Sequence, residues 1–95
     1  MPDDLLLRKR RILWRARHRG MKETDLLFGR LAEEVLDDLD EQGVADFEAL
    51  LDVPDTVFLS WMSGAEEIPL AFRGPLMDLL LSYRFSADDY GQDGA

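Results

Sequence analysis

The sequence predicts an all-α protein, a compact bundle of about five helices, on three observations. Apolar residues recur at three- and four-residue spacing almost throughout, the period that gathers them on one face of a helix. No stretch alternates apolar and polar residues as a half-buried strand does. Glycine and proline fall mainly between the periodic segments, at Gly20, Gly43, Pro54, Gly64 and Gly74-Pro75, where they punctuate the chain. With 95 residues, 46% of them hydrophobic, the chain has room for one domain with one modest core. We expect that domain over residues 1–85 and an acidic, flexible tail over 86–95.

The elements follow in order. A first helix is expected from Asp4 to His18, with Leu5, Ile12 and Ala16 on one stripe, Leu6 and Leu13 beside it, and arginines around the rest. Gly20 breaks it, as a glycine just past a helix end does. A second helix is expected from Met21 to Asp40, carrying Phe28, Leu31, Ala32, Val35 and Leu39 at helical spacing, and Gln42-Gly43 ends it. A short third helix holds Phe47, Leu50 and Leu51. Val53-Pro54-Asp55 makes a break and a restart, because proline suits a first turn but not an interior. The fourth helix carries Val57, Phe58, Trp61 and Met62 and stops at Gly64, with Ala65 to Pro69 as connector. A last helix includes Leu76, Leu79, Leu80 and Tyr83, and Gly74-Pro75 either kinks it or defines its start. Phe28, Leu31, Val35, Leu39, Phe58, Trp61, Leu76 and Leu80 are the expected core.

Charge divides the chain in two. Residues 1–30 hold nine basic and four acidic side chains, a local +5, and residues 31–95 hold two and sixteen, a local −14. The small basic region is the expected working surface. Arg8, Arg10, Arg11, Arg15 and Arg17 are expected to be mostly solvated, steering an acidic partner more than holding it. The arginines could neutralise phosphates, but the −14 remainder repels a polyanion, so neither nucleic acid nor an anionic membrane is the favoured partner.

The residue inventory argues against an enzyme. With no cysteine there are no disulfides, thiolate metal sites or thiol nucleophiles. No run reaches the roughly 18–20 apolar residues of a membrane span. The order of residues at the N-terminus is wrong for a signal peptide, and the expectation is a soluble intracellular protein. His18 is the single histidine; its neighbours Arg17 and Arg19 favour a neutral imidazole, and a surface histidine completing a polar face is the plain reading. Glu33, Glu34, Asp37 and Asp38 match no calcium-loop spacing and read as a solvated helix face. No catalytic residue, cofactor site or metal site is assigned.

What remains is a protein-binding corner between the two long helices. Glycine at position 20 lets a partner's backbone approach, and Arg19 offers a planar fork of donors for a carboxylate or carbonyl. Glu23 has a structural alternative, reaching back to the Gly20 amide as half of a capping box. On spacing alone the two readings are even.

The stretch Arg17-His18-Arg19-Gly20-Met21-Lys22-Glu23-Thr24-Asp25-Leu26-Leu27, followed by Gly29-Arg30-Leu31-Ala32, resembles the signature of the succinate dehydrogenase flavinylation factors. This is the small helical family called SdhE in bacteria and succinate dehydrogenase assembly factor 2 in mitochondria. The likeness continues through Leu50-Leu51, Pro54-Asp55 and Phe58-Leu59-Ser60-Trp61-Met62-Ser63-Gly64, and covers roughly residues 5–84. Ala65–Pro69, Gly74-Pro75 and the acidic tail depart from the family pattern. The resemblance implies a five-helix fold and a place in the bacterial cytoplasm or the mitochondrial matrix. Its implied task is to bind the flavoprotein subunit of succinate dehydrogenase or fumarate reductase and promote covalent attachment of FAD. FAD would belong to that client, whose own histidine is the nucleophile, so the helper needs no cofactor of its own. Carried over by position, the partner-binding residues are Arg17, His18, Arg19, Gly20, Met21, Glu23 and Asp25. A binding module for an unrelated acidic protein, or a small nucleic-acid-binding helical protein, are the alternatives.

Overall fold

The chain folds as helices that meet at three glycines with positive φ, Gly20 at +101°, Gly64 at +83° and Gly74 at +156°. The structure, a computed structural model, describes residues 2–83; the expected tail, and so the end of the expected domain, lies outside them. Helix α1 runs Pro2–Arg17, α2 Lys22–Val35, α3 Glu41–Leu51 and α4 Asp55–Ser63, and a fifth helix, α5, covers residues 75–83. Short 3-10 turns at Leu36–Asp38 and Leu70–Phe72 complete the set. Among the described residues there is no strand, so the all-α five-helix expectation holds.

The boundary after α2 differs from the expectation. The second helix stops at Val35, tightens into the 3-10 turn and gives way to extended backbone at Leu39 and Asp40. Gln42 and Gly43, expected to end a helix, instead lie in the first turn of α3. Asp40 causes this: its carboxylate accepts the Gly43 amide at 2.8 Å, satisfying an otherwise orphaned donor at the helix start. The third helix is therefore eleven residues long, not short. Elsewhere the punctuation reads as expected. Pro54 precedes α4 and left-handed Gly64 closes it, while Gly74-Pro75 starts α5 and does not kink it.

The core gathers Ile12 and Ala16 of α1, Phe28, Leu31 and Ala32 of α2, Val44, Phe47 and Leu50 of α3, Phe58, Trp61 and Met62 of α4, and Met77, Leu80 and Tyr83 of α5. Phe28 is its hub, with ring centroids 4.7 Å from Phe58 and 6.4 Å from Phe47. Of the expected core, Val35, Leu39 and Leu76 are only half-buried against this cluster, the first two because the chain leaves α2 sooner than the periodicity suggested. Leu6, placed beside the first stripe, is exposed. Tyr83 fastens α5 to α2 by donating to Glu34. Burial, then the Glu34 carboxylate, push its phenol well above the ordinary range.

Helix α1 lies against α2 and α3, and its cations meet their acids there. Arg8 pairs with Glu48 at 2.6 Å, Arg15 with Asp52 at 2.8 Å, and Arg17 with Glu33 at 3.0 Å. Lys9 donates to the Asp37 carbonyl. Arg8 is half-buried, which corrects the expectation that it is solvated; the others of that set are exposed. Its hydrogen bond holds the Glu48 carboxyl below the usual carboxylate range. The acidic face of α2 is likewise partly engaged, since Glu33 meets Arg17 and Glu34 meets Tyr83 and Arg30.

Candidate functional site

The corner between α1 and α2 is built from a turn that only glycine makes easily. A Cβ placed on Gly20 would meet nothing within 4 Å, but the φ of +101° would strain any L side chain. Backbone conformation therefore explains the glycine without reference to a partner. The same geometry leaves a bare, open backbone at the tip.

Arg19 turns inward. Its side chain is 8% exposed, and Nε donates to the Asp55 carboxylate at 2.7 Å. The two terminal nitrogens donate to the Leu51 and Val53 carbonyls, each at 2.6 Å. The guanidinium carbon also lies 4.7 Å above the Phe28 ring, a favourable place for a cation. The donor fork expected to reach a partner is thus occupied within the chain. It neutralises the carbonyl-rich end of α3 and the acidic start of α4 together, joining the α1–α2 corner to the α3–α4 corner. Asp25 works from the other side, accepting the Arg19 amide at 2.6 Å.

The remaining expected site residues face outward around this fastening. Arg17, His18, Gly20, Met21 and Glu23 are exposed, and Leu26, 65% exposed, adds an apolar neighbour on α2. Glu23 makes no capping box: residue 21 caps α2 without a side-chain bond, and the Glu23 carboxylate makes no hydrogen bond among the described residues. The structure thus brings five expected residues to one surface and puts two, Arg19 and Asp25, beneath it.

Two features escaped sequence reasoning. Asp55, with the Leu51 and Val53 carbonyls, completes the corner from more than thirty positions away, and no local pattern announces that. Trp14, 62% exposed, stacks on His18 at 4.2 Å and 12°. His18 Nδ1 lies 2.7 Å from the Trp14 carbonyl; a carbonyl only accepts, so Nδ1 carries the proton. The available signal was a tryptophan on the side of α1 opposite Ile12 and Ala16, four residues before the histidine. Next to the corner an open groove of about 820 Å³ runs along α2, lined among others by Arg17, Leu26, Gly29 and Arg30.

Residues 10–84 match the family model described as the flavinator of succinate dehydrogenase. The chain belongs to that family. An FAD assembly factor SdhE of Acetobacter pasteurianus is 35% identical over 75 residues, covering 79% of this chain and 69% of the relative. Succinate dehydrogenase assembly factor 2, mitochondrial, of Drosophila grimshawi is 34% identical over 80 residues, covering 82% of this chain and 54% of that protein. The protein of the same description from Danio rerio is 25% identical over 88 residues, 90% of this chain and 56% of the relative. The chain thus spans little more than half the length of these two mitochondrial relatives. No solved structure matches the chain significantly. Membership ties it to succinate dehydrogenase flavinylation. No helix among the described residues is long and apolar enough to cross a membrane.

Proposed function

We propose that this chain binds the flavoprotein subunit of succinate dehydrogenase, or of fumarate reductase, and promotes covalent attachment of FAD as a helper and not as a catalyst. What supports this reading is a family match running through nearly the whole described fold, together with an open corner at Gly20 flanked by Met21 and Glu23. FAD and the reacting nucleophile belong to the client in this proposal. The helper contributes binding free energy that favours an attachment-competent arrangement of its partner, and each 1.4 kcal/mol of such preference is worth about tenfold in population. The fixed, exposed corner is the surface that would deliver it, with Arg19 and Asp25 holding it in shape. The cell compartment would be that of the client, bacterial cytoplasm or mitochondrial matrix.

The test mixes purified chain, apo-flavoprotein subunit and FAD, then reads covalent flavin as fluorescence in a denaturing gel. Glu23→Ala is expected to nearly keep the parent melting temperature, because the Glu23 carboxylate is exposed, makes no hydrogen bond among the described residues and gives up only its place in the first turn of α2, while flavinylation falls. Gly20→Arg meets no clash but carries the cost of a left-handed backbone, about 1–2 kcal/mol; it should stay folded and lose activity. Full flavinylation by both variants would remove the corner as the working surface.

A further inference from the structure

The cations of the first helix divide into two groups. Arg8, Arg15 and Arg17 are held by Glu48, Asp52 and Glu33, and Lys9 by the Asp37 carbonyl. Arg10 and Arg11 are exposed and make no ion pair or side-chain hydrogen bond among the described residues. At about 100° per residue, Leu7, Arg11 and Trp14 fall within an arc of roughly 60°, with Arg10 about 40° beyond it, on the side opposite Ile12 and Ala16; His18, just past the end of the helix, joins them through its stack on Trp14. Leu7 is 48% and Trp14 62% exposed. The indole stacks on His18, which is itself tied to the Trp14 carbonyl.

An exposed indole contributes little to its own fold, and an exposed aromatic beside arginines that have no partner among the described residues has the composition of an interface centre. We propose that this face of α1 is a second docking surface, continuous with the Gly20 corner, for an acidic patch of the flavoprotein with an apolar recess that receives Trp14. The inference rests on the partner named under Proposed function. Charge decides the class of occupant. Two cations with no partner among the described residues complement a compact acidic patch, whereas an extended anionic lipid or nucleic-acid surface would also meet the −14 carried by residues 31–95.

Calorimetric titration of the purified apo-flavoprotein subunit with the full chain tests this, comparing the parent, Trp14→Ala, and the double variant Arg10→Glu, Arg11→Glu. Both variants are expected to keep the parent melting temperature. Trp14→Ala should weaken binding on the order of thirty-fold, the loss of an interface anchor. The charge reversal should weaken binding at low salt and flatten its salt dependence. If Trp14→Ala melts lower than the parent, the charge-reversal variant alone decides between support and refutation. Parent-like affinity of both variants overturns this surface and leaves the proposed function standing. A parent chain that does not bind the flavoprotein overturns both. Trp14-dependent binding to vesicles of phosphatidylglycerol and phosphatidylcholine, with flavoprotein affinity unchanged, assigns the face to lipid and overturns it too.

Discussion

Replacing Arg19 by alanine strips three acceptors of their donor at once. The Leu51 and Val53 carbonyls and the Asp55 carboxylate lose bonds of 2.6–2.7 Å, in a site where the two ionic side chains are 8% and 17% exposed. An unsatisfied buried acceptor costs about 1–3 kcal/mol, and removing one partner of a buried ion pair about 3–5 kcal/mol. These overlap, since water will reach part of the vacated site, so the expected loss is about 3–5 kcal/mol in total. At about 4–8 °C per kcal/mol for a domain of this size, the melting temperature should fall by at least about 12 °C. Far-UV circular dichroism melts measure it. A cycle with Asp55→Ala should return a coupling energy well above the roughly 0.5 kcal/mol seen between independent sites. If Arg19→Ala melts within about 2 °C of the parent while partner binding disappears, the inward fork is not what holds the corner, and Arg19 is a contact residue after all.

Trp61 is 6% exposed and packs on Phe72 at a centroid distance of 5.2 Å, so Trp61→Ala should cost roughly 3–5 kcal/mol through the cavity it leaves, read from urea unfolding. Glu48 has a folded-state acidity strengthened by Arg8, so its contribution to stability is present above the unfolded carboxylate value and is lost as pH falls through the lower folded one. Glu48→Gln should accordingly flatten the acid limb of the stability profile in pH-dependent melts, and an unchanged limb would mean that the pair does not persist in solution.

The helices were legible where sequence distance and structural distance agree. The stripe of Ile12 and Ala16, the stop at Gly64 and the restart at Pro54-Asp55 are all local events, written in neighbours three or four apart. The departure at Gln42-Gly43 is also local. Glycine there suggests a terminator, although three residues before it stands Asp40, a strong capping residue, and glycine costs little in a first turn. The corner itself is visible as a glycine between two helices. Its interior is not: whether Arg19 points outward or inward depends on where the start of α4 arrives, and no spacing within residues 17–25 contains that. The solvated reading of Arg8 fails for the same reason, because its acid lies forty positions away.

The guanidinium of Arg19 rests on Phe28, which has no exposed surface and touches two other buried rings. The turn at Gly20 is therefore continuous with the centre of the molecule and is no independently hinged loop. Loosening it requires breaking the contacts of Arg19 with Asp55, the Leu51 and Val53 carbonyls and Phe28, so its local opening should be rarer than that of a loop without such an anchor. A flexible recognition loop surrenders its backbone freedom when it meets its target, on the order of 1–2 kcal/mol for each residue fixed. Here that freedom was surrendered during folding, and more of the free energy of contact at the corner is left for reshaping the other protein.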